Sequence, residues 1–247
     1  MLTYLKAIQR HGNASQDIRF EWDDWSTDPV GVIDEGDDED DADVADVAHG
    51  PWSHRANVAM VLAATEWIIY RFSRLSTDIQ PLQCMEAGWA QMIDRTYSWE
   101  WDLDGDWTGP VKGPIKEAVG LAGFAIREAW DDADTNWCRL ALFKLANYVL
   151  ADDAFTRWTE EVERRLLLVS PLRADDHLGD VVPREAMSPE DPFDPKQTEP
   201  LINRYLGSLD YRANPFLNPP KNMYEDGFEG TPYLFDIGED RRRRQEW

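Results

Sequence analysis

The sequence predicts a mainly α-helical protein built as a compact bundle of about five to six helices. Between residues 53 and 171, apolar side chains recur every three or four positions in five successive stretches, which is the period of an amphipathic helix. Proline, glycine and aspartate mark the connections between these stretches. The 247 residues, of which 43% are hydrophobic and twelve are tryptophan, suffice for a substantial buried core.

The first three predicted helices each have one apolar stripe. The first covers residues 54–75, and the second runs from Pro81, which suits a first helical turn, to Tyr97. The third covers residues 115–130 and contains Gly120 and Gly123, which would allow close contact between helices.

The fourth predicted helix, residues 135–150, is apolar nearly all round, so we expect it to be the central, buried helix. The fifth begins at a capping residue, Asp152 or Asp153, and runs to Val169. Residues 200–209 are the sixth helical candidate. This helical core is expected to belong to a single domain that covers the whole chain.

The regions on either side of the core, residues 1–52 and 172–247, look less regular. Residues 17–23 alternate apolar and charged side chains, as a half-buried strand does, and residues 231–235 are the best candidate to pair with them in a minor two-stranded β element. The C-terminal region is rich in proline and aromatic residues, and we expect it to wrap the core. Its aromatic anchors would be Phe193, Phe216, Tyr224, Phe228, Tyr233 and Phe235.

The N-terminal region contains an acidic run at residues 32–50, and eight of the ten residues from 34 to 43 are acidic. Packed side by side in a helix or strand they would repel one another, so we expect an exposed loop. Residues 1–50 hold fourteen acidic and three basic residues, which is nearly half of the net charge of −23. An adaptation to high salt would also give an acidic chain, but it would spread the charge more evenly.

The net charge argues against nucleic acid or an anionic membrane as the direct ligand, because both would be repelled. No apolar run is long enough to predict a transmembrane helix, and the N-terminus lacks the pattern of a secretory signal. Cys84 and Cys138 are expected to be buried free thiols. These features favour the cytoplasm.

No catalytic motif is recognisable, so we predict no catalytic residue and no cofactor. The four histidines, at positions 11, 49, 54 and 177, show no spacing typical of a zinc site. Residues 100–105 resemble the start of an EF-hand loop, but Val111 stands where the bidentate glutamate is required. Three aspartates of this loop are therefore only weak candidates for metal ligands: Asp102, Asp104 and Asp106.

These observations favour an acidic, immunity-type inhibitor that neutralises a basic toxin or nuclease by stoichiometric binding. Electrostatic capture is assigned to the acidic run, at Asp37, Asp38, Glu39, Asp40, Asp41 and Asp43. The expected aromatic anchors are Trp99, Trp101 and Trp107. Two alternatives stay open, namely a carboxylate-based hydrolase, with or without a metal ion, and a non-catalytic subunit of a larger assembly that docks through its aromatic C-terminal region.

The four consecutive arginines at positions 241–244 stand out on an acidic chain. We expect them to form a frayed, solvated tail. Phosphate binding, or folding back onto the acidic loop, are the alternatives for this segment.

Overall fold

The computed structural model describes residues 51–99, 101–150 and 153–245, and this part of the chain is mainly α-helical, as the sequence predicts. The β pairing within these ranges consists of isolated bridges, such as the one between Trp52 and Pro171. The acidic run and the strand predicted at residues 17–23 lie outside the described residues. The eight helices of the described part are α1 (His54–Arg71), α2 (Gln80–Ile93), α3 (Gly109–Trp130), α4 (Asn136–Leu150), α5 (Asp153–Val169), α6 (Thr198–Leu206), α7 (Pro220–Glu225) and α8 (Ile237–Gln245).

Helix α1 lies at the centre of the fold. It contacts α2, α3 and α4, and all of its residues except Tyr70 are buried. The sequence predicted this place for the fourth helix, but α4 leaves Leu140 and Tyr148 partly exposed. Apolar periodicity predicts α1 as a helix but not its central position, because several of its buried residues, such as Arg55, Thr65 and Glu66, are polar and form hydrogen bonds or ion pairs inside the protein.

The N-terminal end of α1 is fixed by residues that follow α5. The Ser53 hydroxyl caps the helix by accepting from the Ala56 N–H, and it also lies 2.7 Å from the Ser170 hydroxyl. The backbone N–H groups of His54 and Arg55 donate to the carbonyl oxygens at positions 177 and 178, at 2.9 and 3.1 Å. Two of the N–H groups that the first turn of a helix leaves unpaired are thereby satisfied by another segment of the chain.

The other predicted helix boundaries hold to within a few residues, with one larger difference. Helix α3 begins at Gly109 rather than at residue 115, because Pro110 fits a first helical turn, where no N–H is needed. The close contact between helices expected at Gly120 and Gly123 occurs at Gly88 instead. An added Cβ at Gly88 would lie 2.7 Å from the Leu62 side chain of α1, whereas one at Gly123 would meet only Trp101, at 3.7 Å, and one at Gly120 would meet nothing within 4 Å.

The C-terminal region packs against the core through most of its aromatic side chains. Of the expected anchors, Phe228 and Phe235 are buried, and Phe193, Phe216 and Tyr233 pack against the core, while Tyr224 is exposed. Residues 231–235 form a turn and not the strand proposed for them. Asn218 joins this region to the segment after α2, since its backbone N–H donates to the carbonyl of Tyr97 at 2.9 Å.

The four arginines belong to α8, so the prediction of a frayed tail is wrong. The side chain of Arg244 is 7% exposed and forms ion pairs with Asp176, Asp180 and Asp240. Arg241 also pairs with Asp180, at 2.9 Å. The helix forms because these acidic side chains neutralise its basic face.

Candidate functional site

An aromatic groove of about 490 Å³ opens between α3 and the loop that follows α2. Trp99 and Trp101 come from the loop, and Phe124 and Trp130 come from α3. Gly120 and Gly123 also line it, and glycines leave room there because they have no side chain. Its aromatic rings share the lining with polar and charged side chains, among them Arg95, Arg127 and Asp226.

Contacts with the rest of the fold position the two tryptophans of the loop. The backbone N–H of Trp99 donates to the carbonyl of Phe216 at 3.3 Å, while 41% of the side chain is exposed. The indole N–H of Trp101 donates to the Ser98 hydroxyl at 2.9 Å. Trp99 therefore presents its ring to solvent from a backbone held in place.

Trp107, the third predicted anchor, lies in the core with 3% of its surface exposed. Its indole N–H donates to the carbonyl of Asp104 at 3.0 Å, and the Lys112 ammonium lies 5.0 Å from the ring centre. Trp107 holds the loop against the bundle and offers no surface to a partner in this conformation.

The three aspartates of the same loop are exposed. The Asp106 carboxylate accepts from the backbone N–H and the hydroxyl of Thr108, and thus closes a turn. Among the described residues, Asp102, Asp104 and Asp106 do not belong to a cluster of three ligands able to hold one metal ion. The six acidic residues assigned to electrostatic capture lie outside the described residues.

A second feature is a histidine cluster of His54, Asp132 and His177, which come from three distant parts of the sequence. His54 lies in the first turn of α1, and His177 lies in the segment whose carbonyl accepts from the His54 N–H. Asp132 lies in the turn after α3. The capping of α1 therefore brings both histidines to one place.

The backbone of Asp132 adopts a conformation in which glycine is usual. Its φ is +55°, and the N–H of Ala133 donates to the carbonyl of Glu128, which makes this turn a Schellman motif. Aspartate tolerates the left-handed region better than most residues, but at a cost relative to glycine. The turn directs the carboxylate toward the two imidazoles.

One carboxylate oxygen faces both rings. Asp132 Oδ1 lies 3.4 Å from His54 Nε2 and 3.5 Å from His177 Nδ1. The other nitrogen of His54, Nδ1, lies 3.2 Å from the hydroxyl of the buried Thr135. Each ring nitrogen of His54 therefore has a neighbour, Thr135 at Nδ1 and Asp132 at Nε2.

Burial lowers the pKa of His54 below its ordinary value of 6.5, and the charge of Asp132 opposes this shift only in part. The imidazole of His54 is therefore mainly neutral at pH 7. A neutral imidazole is the form that binds a metal ion.

A groove of about 440 Å³ lies beside the cluster, and Asp132 and His177 form part of its lining. Trp130, Asp175 and Arg244 are also among its lining residues. His54 lies behind these residues, with 9% of its surface exposed. One ligand of the cluster is thus buried, while the other two are reached from solvent.

Sequence analysis missed the histidine cluster because its three members are separated by more than forty residues. The four histidines show no spacing typical of a zinc site, and Asp132 is adjacent in sequence to neither His54 nor His177. A signal was nevertheless present, because position 132 has aspartate where the turn favours glycine.

No protein-family model, curated protein or solved structure matches this chain. The described part contains no helix that combines the length and apolarity needed to cross a membrane. The two cysteines are free and buried, as predicted, and burial raises the pKa of both thiols.

Proposed function

We propose that this chain is an acidic binding protein that captures a basic protein partner and neutralises it stoichiometrically, as an immunity-type inhibitor neutralises a toxin or nuclease. The observation that carries the proposal is the exposed Trp99 at a preformed aromatic groove, on a chain with a net charge of −23. In this proposal the chain acts by occupying its partner and catalyses no reaction. It acts in the cytoplasm, where its two cysteines would stay reduced.

The charge of the chain supports the capture step. Residues 1–50 contribute −11 of the −23, and attraction between opposite charges raises association rates by about 10 to 10³. Most arginines of α8 add little opposing charge, because Arg241, Arg243 and Arg244 form ion pairs with acidic side chains of the same chain. A basic partner would meet a surface dominated by carboxylates.

The aromatic groove supports the second step, which is retention of the partner. Tryptophan is over-represented among the residues that dominate binding energy at protein interfaces. Asp102, Asp104 and Asp106 are exposed in the loop that continues from Trp99 and Trp101. An arginine of the partner could stack on an indole ring while its charge is balanced by these carboxylates.

The test compares four tag-linked baits in native lysate at about 50 mM and about 500 mM salt. They are the wild-type chain, the chain with its six capture residues neutralised (Asp37, Asp38, Glu39, Asp40, Asp41 and Asp43), Trp99→Ala, and Leu168→Ala as a control for loss of an exposed apolar side chain. We expect wild type and Leu168→Ala to retain the same basic protein at low salt. The other two baits should lose it.

The captured protein is then purified, and its activity is measured against increasing amounts of the wild-type chain. Inhibition that is complete at one chain per partner is the expected result. Equal retention by all four baits at both salt concentrations would contradict the proposal, and so would a captured partner whose activity is unaffected by excess chain.

A further inference from the structure

We propose that His54, Asp132 and His177 form a zinc site with one coordination position left to water. The site is separate from the aromatic groove and does not depend on the proposed inhibitor function. The three ligand atoms are His54 Nε2, Asp132 Oδ1 and His177 Nδ1, and all lie within 4.8 Å of one another.

The spacing of the ligand atoms fits a metal better than it fits direct hydrogen bonds. A charge-assisted N–H···O bond between imidazole and carboxylate is about 2.7–2.9 Å long. The two separations here, 3.4 and 3.5 Å, are longer. Two ligands bound to one tetrahedral zinc ion at about 2.1 Å are about 3.4 Å apart.

The geometry and the ligand types both favour zinc over harder cations. Neighbouring ligands in the octahedral shell of magnesium, with bonds of about 2.1 Å, would be only about 3.0 Å apart. Calcium and magnesium prefer sites made of oxygen atoms, whereas two imidazoles suit zinc and its transition-metal neighbours. The third separation, between the two histidine nitrogens, can adjust because half of the His177 side chain is exposed.

His54 also has the supporting hydrogen-bond partner that zinc-binding histidines usually have. A zinc-bound histidine generally uses its other ring nitrogen to hydrogen-bond a neighbouring group. For His54 that nitrogen is Nδ1 and the partner is Thr135 Oγ1, at 3.2 Å. With Nδ1–H donating to this hydroxyl, Nε2 presents a lone pair toward Asp132, and a cation between the two groups removes their repulsion.

The open position follows from the number of ligands. Three protein ligands leave one place in a tetrahedral shell, and Asp132 and His177 form part of the lining of a groove of about 440 Å³. Asp131, Asp175 and Asp176 line the same groove, but among the described residues the group of ligand atoms close enough to share one ion is limited to His54, Asp132 and His177. The proposed fourth ligand is therefore water from the groove.

The test measures zinc binding to the full chain without a histidine tag, after metal has been removed by a chelator. Zinc is titrated into wild type, His177→Ala, Asp132→Gly and Asp175→Asn, and binding is followed by calorimetry and by the shift in melting temperature. Glycine suits the left-handed backbone at position 132, so Asp132→Gly removes the carboxylate and keeps the turn. Asp175→Asn is the matched control, since it removes a carboxylate from the same groove.

Wild type and Asp175→Asn are expected to bind one zinc ion per chain and to melt at a higher temperature with zinc. His177→Ala and Asp132→Gly should bind zinc at least about tenfold more weakly, while melting normally without it. Cobalt in the wild-type chain should give the strong visible absorption of a tetrahedral site. Wild type that binds no zinc, equal affinity in all four proteins, or equal loss in Asp175→Asn would overturn the site.

Discussion

Arg55 and Asp240 form an ion pair that joins the first turn of the central helix α1 to α8. The distance from Arg55 Nη2 to Asp240 Oδ1 is 2.9 Å, and the exposed fractions of the two side chains are 1% and 11%. The same guanidinium donates to the carbonyl oxygens of Met92, Ile93 and Gly179 and lies over the ring of Trp130. A cation is thus buried at the point where α1, α2 and α8 meet.

The first prediction concerns this pair. Asp240→Asn keeps the size of the side chain but leaves the charge of Arg55 buried without its counter-charge, which costs about 3–5 kcal/mol. We expect the free energy of unfolding in urea to fall by about that amount. The control is Glu225→Gln, which breaks an exposed pair with Lys221 and should change stability by less than about 1 kcal/mol. Equal effects from both changes would contradict the role of the buried pair.

The second prediction is a dependence of stability on pH at Asp180. Burial alone would raise the pKa of this carboxyl, but hydrogen bonds and ion pairs from Arg241 and Arg244 outweigh it and hold the pKa at about 2. Because the folded pKa lies below the unfolded value of about 3.9, the stabilisation is complete above pH 4 and is lost as the pH falls toward 2.

The difference between these two pKa values corresponds to about 2.5 kcal/mol, of which about 2 kcal/mol is lost by pH 2, since each pKa unit is worth about 1.4 kcal/mol. The measurement is the free energy of unfolding of wild type and Asp180→Asn between pH 2 and pH 6. The advantage of wild type over the variant should shrink by about 2 kcal/mol toward the acidic end. A difference that stays constant across this range would show that Asp180 does not titrate as inferred.

The third prediction uses two glycines with opposite surroundings. Gly179 has a φ of +75°, and a Cβ added there would overlap the Ser53 side chain that caps α1. Gly179→Ala should therefore destabilise the protein by more than about 2 kcal/mol. Gly120 lies within α3 with nothing near an added Cβ, so Gly120→Ala should raise stability by up to about 1 kcal/mol. Melting temperatures that move in the same direction would contradict this reading of the two sites.

The fourth prediction separates two tryptophans of the same loop. Trp107→Ala removes a buried ring and its hydrogen bond, and it should lower the free energy of unfolding by about 3–5 kcal/mol. Trp99→Ala removes a ring that is 41% exposed and should cost about 1 kcal/mol or less. Denaturation in urea measures both values, and a larger loss for Trp99 than for Trp107 would reverse the assigned roles.

The helical fold could be predicted because its signals are local. The apolar spacing of α2 and α5, and Asp153 in the first turn of α5, lie within a few residues of the structure they specify. The position of each helix in the fold, by contrast, depends on contacts with residues that are far away in the sequence. The sequence put α4 at the centre because α4 is apolar all round, but the buried polar residues of α1 find their partners far along the chain. Arg55, for example, is satisfied by Gly179 and Asp240.

The same distinction between local and long-range signals applies to the candidate sites. Trp99 and Trp101 were recognised because they stand in one short loop, and the aromatic groove that they enter was completed by α3. The histidine cluster was missed, since its geometry depends on the capping of α1 by residues 177 and 178. The ordered α8 was missed for a related reason. Four adjacent arginines suggest a solvated segment until the acidic side chains at positions 176, 180 and 240 are brought beside them.

The ion pair between Arg55 and Asp240 also has a consequence for the synthesis of this protein on the ribosome. Helix α1 emerges early, and the carbonyl partners of Arg55 in α2 follow soon afterwards, but its counter-charge emerges only when α8 has been translated. Until then the centre of the bundle holds a cation that favours contact with water. A nascent chain stopped before residue 237 should therefore remain sensitive to protease, and resistance should appear only once α8 has been released from the ribosome.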